Sequence, residues 1–299
     1  NIYAELELSK SLSLKTTFTY QNRTTRQRFY QNNFENLGII LTNNRGGWAR
    51  TSDAVNVSVT NTNELNYVKE FGEHSINLML GQSQEWREAE SIKTSNYGFA
   101  NDLLTWHAPG TAMFFDPDQV SFIDSKLESF FGRFNYNFKN KLLLTLTGRY
   151  DGSSKFAENN KWAFFPAAAL AYKLSNEKFI KEIDAINELK LRLSYGRVGN
   201  QAIREYQSLA QLESGPFVFG TEGESASSIY YSSQIPNPNL KWETTDQLDA
   251  GIDLGLFRNR ITITADYYRK NTNDLLIANN KIAAQSGQDT FTQNFGEIE

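Results

Sequence analysis

The sequence predicts an all-β protein: an antiparallel transmembrane β-barrel, of which this chain supplies only a part. Three observations predict this class. Apolar and polar residues alternate with a period of two, short turns alternate with long polar connections, and aromatic residues make up 13% of the 299 residues. Successive side chains of a strand point to opposite faces of the sheet, so each such segment has one apolar and one polar face. Short turns at one end, long loops at the other and aromatic girdles are typical of outer-membrane barrels.

The alternation is clearest in the segment 189–195. Leu189, Leu191 and Leu193 alternate there with Lys190 and Arg192. We expect the leucines to meet lipid and the charged residues to face a plug or a water-filled lumen, because lipid-facing and lumen-facing residues alternate along barrel strands. A second strand with polar inward residues includes Arg133 and Asn135.

The connections between these segments differ in length. We expect roughly eleven strands, typically of 10–20 residues, which is longer than the strands of soluble sheets. Tight turns are predicted at 9–11, 71–73, 139–141 and 258–260, and long polar connections at about 30–46, 91–125 and 200–240. Two links depart from the rule: the link at 153–160 is short, and the link at 175–187 has room for one helical turn started by Ser175.

Aromatic residues near the expected strand ends suggest two interfacial girdles, since aromatic rings favour the boundary between lipid and water. These residues are Tyr20, Phe29, Tyr67, Phe71, Phe138, Tyr150, Trp162, Trp242, Phe257 and Tyr268. Ordinary strand propensity is the alternative explanation for each of them.

Composition excludes several classes of protein. The chain has no cysteine and two histidines, which excludes disulfide scaffolds, thiol enzymes and cysteine-based zinc sites. The net charge of −4 argues against nucleic-acid binding. No nucleophile elbow, phosphate-binding loop or zinc-protease motif occurs. We therefore expect no enzyme, no catalytic residue, no cofactor and no metal. No run of 18 apolar residues is present to form a transmembrane helix.

The segment 148–206 carries a specific resemblance. It contains Gly-Arg-Tyr-Asp-Gly-Ser-Ser-Lys-Phe at 148–156, Trp-Ala-Phe-Phe-Pro at 162–166 and Leu-Lys-Leu-Arg-Leu-Ser-Tyr-Gly-Arg-Val-Gly-Asn-Gln at 189–201. Further segments at 236–245 and 266–276 fit the same pattern. The chain strongly resembles the SusC/RagA family of TonB-dependent outer-membrane transporters of Bacteroidetes. The resemblance is most specific from about 126 to 280.

The resemblance implies TonB-dependent import of oligosaccharides or peptides across the outer membrane. It also implies a SusD-like surface lipoprotein, and TonB acting through a plug that this chain lacks. We expect residues 1–299 to be an internal fragment of a single barrel domain, about half of a barrel of about 22 strands. The remaining strands would complete it, because open strand edges in lipid are prohibitively costly.

The residues that carry the family signature are expected to have structural roles. Asp and Ser side chains are expected to cap a turn at 151–154, with Gly152 at positive φ, and Gly196 and Gly199 to form a bulge or bend. The signature residues are Arg149, Asp151, Gly152, Ser153, Ser154, Phe156, Trp162, Pro166, Gly196, Gly199 and Asn200.

Aromatic residues in the long loops are the candidates for contact with a ligand or a partner. Aromatic platforms beside carboxylates, such as Asp116 and Asp118, suit the apolar faces and hydroxyls of sugars. The candidates are Trp106, His107, Phe114, Phe115, Phe217, Phe219, Tyr230 and Tyr231. Packing of these aromatics against each other is the alternative. Trp106 and Tyr230 are the first positions to test.

Two other functions fit the pattern less well. A passive porin or structural outer-membrane barrel would lack a plug in the complete protein. A soluble extracellular all-β adhesin would need a closed apolar core instead of an apolar face turned to lipid. The long strands argue against the adhesin.

Overall fold

The computed structural model describes residues 1–32, 47–218, 226–279 and 291–299. Its strands are β1 (Ile2–Ser9), β2 (Leu12–Gln31), β3 (Trp48–Phe71), β4 (His74–Phe99), β5 (Ala112–Phe115), β6 (Gln119–Phe138), β7 (Leu142–Ser153), β8 (Trp162–Lys173), β9 (Ile186–Asn200), β10 (Gln211–Val218), β11 (Ala226–Gln234), β12 (Glu243–Leu256), β13 (Ile261–Asn273), β14 (Leu276–Asn279), β15 (Phe291–Asn294) and β16 (Glu297–Ile298). Helix α1 covers Lys178–Lys181.

One antiparallel sheet contains most of these strands, in the order β1-β2-β3-β4-β6-β7-β8-β9-β12-β13-β16, with β5 paired to β4. This order confirms the predicted all-β antiparallel class. Two hairpins, β10–β11 and β14–β15, lie off the sheet. Several strands are longer than expected, since β3 has 24 residues and β4 has 26.

The four predicted tight turns are confirmed, because β1–β2, β3–β4, β6–β7 and β12–β13 are each joined by two to four residues. The turn after β6 shows the local chemistry. Lys139 and Asn140 both have positive φ, and the amide of Lys141 donates to the carbonyl of Phe138. Positive φ at both central residues is the geometry that matches the twist of two antiparallel strands.

Two of the predicted long connections are shorter or more ordered than expected. The stretch 91–125 is mostly strand, since β4 continues to Phe99 and β6 begins at Gln119. The connection 100–118 holds two short 3-10 turns and β5. The stretch 200–240 contains the β10–β11 hairpin. Of the stretch 30–46, the part 33–46 lies outside the described residues.

The link between β8 and β9 has the expected helical turn, but Ser175 does not start it. Ser175 lies in a preceding 3-10 turn, and Glu177 precedes α1 without a side-chain cap. The Glu177 carboxylate instead accepts hydrogen bonds from Lys141 Nζ at 2.7 Å and from the Tyr172 hydroxyl at 2.6 Å. The bond from Lys141, followed by the bond from Tyr172, lowers the pKa of the Glu177 carboxyl. Glu177 therefore remains ionised and ties this link to the β6–β7 turn.

Among the described residues, no helix combines the length and apolar character that a membrane crossing requires.

The chain divides into two compact units. One comprises residue 1, 18–60 and 85–125, and the other comprises 2–17, 61–84 and 126–299. The first has a small buried cluster of Ala49, Phe99 and Ala112. The second has a larger one, formed by Phe156, Phe165, Ile203, Leu240 and Trp242. Each cluster joins strand residues to residues of the adjoining connections.

Trp242 corrects one prediction, since it lies in the second buried cluster and not in an aromatic girdle. Its ring packs on Phe156, with centroids 4.9 Å apart, and on Phe165, with centroids 5.4 Å apart. Its indole Nε1 donates to the carbonyl of Lys161 at 2.9 Å. Buried indole groups need such an acceptor, and the loop before β8 supplies one. Trp242 thus joins the connection before β12 to the β7–β8 connection and to β8 itself.

Glycine is required at positions 152 and 199 because an aromatic ring occupies the space of its missing side chain, and not because the backbone has positive φ there. Neither has positive φ, so the expected positive φ at Gly152 is wrong, and the turn begins only at Ser154, after β7 ends. Gly199 pairs with Thr244 of β12, whereas the β8–β9 pairing ends at Gly196, so a bend of β9 at 196–199 stays a prediction. A Cβ on Gly152 would overlap the ring of Trp162, and a Cβ on Gly199 would overlap the ring of Phe165. Glycine at these positions lets an aromatic ring from the next strand lie flat on the backbone.

Replacing Gly199 with alanine is expected to destabilise the protein by about 1–3 kcal/mol, because overpacking of a buried cluster costs about this much. Phe165 is buried between Gly199 and Trp242 and cannot swing aside. Gly110→Ala is the matched control, since nothing lies within 4 Å of its added methyl group. Urea unfolding of the full-length protein measures both. Equal stability of the two variants would contradict the close approach of the ring.

Candidate functional site

The two faces of the sheet differ in chemistry at β9 and β12. Leu191 pairs with Ile252 and Leu193 pairs with Ala250 on one face. Leu191 is 44% exposed and Leu193 is 51% exposed. A row of exposed aliphatic side chains is costly in water and favourable in hydrocarbon. We call this side, which carries Leu191, the apolar face.

The opposite side, here called the polar face, carries an ion-pair network. The Arg192 guanidinium donates two hydrogen bonds of 3.0 Å to the Asp253 carboxylate and one of 2.7 Å to Asp266. Lys190 Nζ lies 3.5 Å from Asp253. Gly251 lies between these partners, and any Cβ there would collide with the Asp266 carboxylate. Arg192 of β9 can therefore reach across β12 and bind carboxylates on both β12 and β13. This network confirms that Lys190 and Arg192 lie on a polar face.

Aromatic rings border the apolar face at its loop end. Tyr150 stacks on Trp162 with centroids 4.8 Å apart, and Phe130 lies 6.2 Å from Trp162. At the next level on β9, the Tyr195 hydroxyl donates to Asp246 at 2.6 Å, and Arg197 donates to the same carboxylate. The change from leucine to tyrosine to an ion pair along one strand face is the pattern of a boundary between lipid and water.

A second aromatic group borders the apolar face at its short-turn end. His74 stacks with Phe71 and Tyr136 and packs at a tilt against Phe138, and its Nδ1 lies 2.7 Å from the Tyr136 hydroxyl. Leu142, which pairs with Phe138, lies eight residues before Tyr150 on β7. At about 3.4 Å per residue the two groups are about 27 Å apart along the strand, which suits a tilted strand crossing an apolar band about 25 Å tall.

The family-signature residues form structural contacts on the polar face. Arg149 Nε donates to Asp151 at 2.7 Å, and its Nη2 donates to the buried Ser129 hydroxyl at 2.8 Å. Of the expected turn caps, Ser153 accepts a hydrogen bond from the amide of Lys155 in the turn. Ser154 instead accepts from the amide of Lys126 on the neighbouring strand β6, and Asp151 binds Arg149 and not a turn amide. Phe156 lies in the buried cluster, and Trp162 and Phe165 lie over Gly152 and Gly199 as described above. Of the other members, Pro166 lies on β8, and Gly196 and Asn200 lie on β9.

The loop candidates 106–115 do not form one platform. Trp106 is half-buried against the Ala49 cluster, with its ring 5.3 Å from that of His107. Phe114 and Phe115 lie on β5 and are exposed. Asp116 accepts a hydrogen bond of 2.5 Å from the Tyr97 hydroxyl, and Asp102 accepts one of 2.6 Å from Tyr30. The sequence alone did not predict these two hydrogen bonds, because each joins residues that are far apart in the chain.

The candidates in the second loop lie on the β10–β11 hairpin. Tyr230 is 77% exposed and pairs with Ser214, whereas the ring of Tyr231 lies against Gly215. Phe217 belongs to β10, but its side chain lies outside the described part, as does all of Phe219. Of these candidates, Tyr230 therefore presents the freest aromatic surface.

The whole chain, residues 1–299, matches the family model described as TonB dependent receptor-like, beta-barrel. The chain belongs to this TonB-dependent receptor family. Its identity to TonB-dependent receptor P3 of Formosa agariphila is 35% over 300 residues, covering 100% of this chain and 29% of that protein. Its identity to TonB-dependent receptor SusC of Bacteroides thetaiotaomicron is 32% over 266 residues, covering 86% of this chain and 25% of that protein.

A solved structure of the RagAB peptide transporter superposes with a TM-score of 0.84 at 26% identity, over 99% of this chain and 32% of the matched chain. This TonB-dependent receptor chain thus spans about a third or less of the length of its relatives. It forms part of the barrel wall of an outer-membrane protein, which confirms the predicted fold class and location. The family consists of receptors and transporters and not of enzymes.

Replacing Leu191 with arginine is expected to lower the free energy of unfolding in lipid by about 2–4 kcal/mol, because a lipid-facing cation near the membrane midplane costs this much. Ser194→Arg is the matched control: it adds the same side chain three residues away on the polar face. Equilibrium unfolding of the full-length receptor in liposomes measures both. Similar losses at the two positions would contradict the assignment of the faces.

Proposed function

We propose that this chain is part of the wall of a SusC-like transporter that imports oligosaccharides or peptides across the outer membrane. In this proposal a SusD-like surface lipoprotein covers the loop end, and TonB supplies energy through a plug outside these residues. No covalent chemistry is involved, and the chain needs no cofactor. The proposal rests on family membership and on the likeness to SusC and to the RagAB peptide transporter.

The observation that carries the proposal is the row of charged side chains on the polar face, opposite the apolar face. A barrel whose only task was to span the membrane would need the apolar face alone. Here the polar face bears Arg192, Lys190, Asp253 and Asp266, whose ion pairs leave charged groups lining the interior. Such a lining suits a water-filled passage or contact with a polar plug, and both belong to transport.

The loop candidates are proposed as contacts for cargo or for the lipoprotein. Tyr230 is the leading one, because an exposed tyrosine on a hairpin offers a flat apolar ring and a hydroxyl to a sugar or a peptide. Phe114 and Phe115 offer a second apolar surface on β5. Trp106 is a weaker candidate than the sequence suggests, because it already packs on the Ala49 cluster. The same proposal includes the domain organisation: residues 1–299 all belong to one barrel domain.

Uptake by cells that carry the full-length protein tests the function. One fluorescent oligosaccharide pool and one fluorescent peptide pool are offered to cells with and without TonB. We expect uptake of one pool, dependent on TonB. Equal uptake in both strains would contradict the proposal and favour a passive porin.

In the same assay, Tyr230→Ala is expected to reduce uptake at low cargo concentration by about two- to tenfold, which corresponds to the loss of one aromatic contact of about 0.5–1.5 kcal/mol. Tyr267→Ala is the control, since Tyr267 is 70% exposed but lies on β13, on the apolar face. Uptake is normalised to the amount of protein in the outer membrane. An equal reduction in both variants would show that Tyr230 has no specific contact.

A further inference from the structure

The first residues of β3 form an aromatic and cationic cluster. The Arg50 guanidinium lies over the Trp48 ring, with its central carbon 4.4 Å from the ring centroid. The same indole stacks on Tyr97 at 6.2 Å and meets Phe29 edge-on at 5.2 Å. Trp48 is only 8% exposed. A cation–π contact therefore places the guanidinium against a buried ring.

Two donors of this cluster, one on Trp48 and one on Arg50, have no acceptor within the described part of the chain. Trp48 Nε1 and Arg50 Nε are both buried, and neither donates a hydrogen bond within the described part of the chain. Buried donors without a partner are rare, and each costs about 1–3 kcal/mol. The neighbouring arginines differ: Arg28 donates to Asp53, and Arg26 lies 4.0 Å from the same carboxylate. Among the described residues, no carboxylate forms an ion pair with Arg50.

We propose that Trp48 and Arg50 form a binding site for a carboxylate carried by the cargo; this inference rests on the transport function proposed above. An indole N–H and a guanidinium are donors only, so the missing group must accept hydrogen bonds. The positive charge of Arg50 favours an anion as that group, and a planar fork of N–H donors matches a carboxylate.

The position of the cluster agrees with this assignment. β3 begins at Trp48 and ends at Phe71, which lies at a short turn. Trp48 and Arg50 are therefore at the loop end of the strand, where cargo from outside the cell would first arrive. The ligand is either an acidic oligosaccharide or the C-terminal carboxylate of a peptide, which share this chemistry.

Binding to the purified full-length protein, measured by calorimetry, separates these sources. The probes are trigalacturonate and its methyl ester, and trialanine with a free carboxylate and its amide. We expect the wild-type protein to prefer the charged member of one pair. Arg50→Gln is expected to weaken binding of that charged probe on the order of tenfold or more, as for loss of a charge-assisted hydrogen bond, and to leave its neutral analogue unchanged.

Two further variants control for structure. Arg26→Gln removes the same charge from an arginine that already faces Asp53 and is expected to change nothing. Arg50→Lys keeps the charge and the stacking position and is expected to retain part of the preference, which protects the test if Arg50→Gln folds poorly. Equal loss for charged and neutral probes, equal loss in Arg26→Gln, or no preference in the wild-type protein would each overturn the inference. Failure of TonB-dependent uptake would instead overturn the proposed function, because the binding assay needs no energy source.

Discussion

The pairing of every backbone amide and carbonyl between neighbouring strands is the constraint on which the rest of this structure depends. Hydrocarbon offers no water to an unpaired peptide group, so a strand in lipid must hydrogen-bond to both of its neighbours. Strands β7, β8, β9 and β12 each pair with a strand on both sides, and the β12–β13 register runs without a break from Thr244 to Leu256. Because side chains alternate along a strand, this register also decides which of them meet lipid. A slip of one residue would exchange Leu191 and Arg192.

The chemistry of each face follows from that register. On the apolar face, leucines are followed toward the loop end by aromatic rings and then by the Arg197–Asp246 ion pair. The change of residue type along a single strand therefore marks the boundary between lipid and water. On the polar face, Arg192 spans β12 because Gly251, which has no side chain, leaves room above its backbone for the Arg192 guanidinium and the Asp266 carboxylate. Glycine has the same role at positions 152 and 199. There the rings of Trp162 and Phe165 lie where a Cβ would be. Small residues in this sheet therefore mark places where a neighbour on the next strand needs room.

Features that depend on neighbours in sequence could be predicted from the sequence. The alternation in 189–195 and the turn residues Lys139 and Asn140 are local, and both predictions are confirmed. Features that depend on distant partners could not. Trp242 has the composition of a girdle residue, but its acceptor is the carbonyl of Lys161. Glu177, and not Ser175, precedes α1, and the carboxylate of Glu177 is bound by Lys141 and Tyr172, which are distant in sequence or lie on β8.

The candidate site shows the same division. The aromatic content of the loops is visible in the sequence, whereas the burial of Trp106 and the exposure of Tyr230 depend on which residues pack nearby. Trp48 and Arg50 could not be singled out as a pair from the sequence. Alternation places them on one face of a strand, but only the structure shows that Trp48 Nε1 and Arg50 Nε lack acceptors.

The central claim is that the sheet separates lipid from a hydrated interior, and cysteine scanning of β9 in native membranes tests it most directly. This chain has no cysteine of its own, so single cysteines from 189 to 194 report individually once any cysteine elsewhere in the full-length protein is replaced. Each is labelled with a fluorophore and quenched by lipid-borne or water-borne nitroxides. We expect lipid-borne quenching at 189, 191 and 193 and water-borne quenching at 190, 192 and 194. Equal quenching at all six positions, or the reverse alternation, would contradict the account.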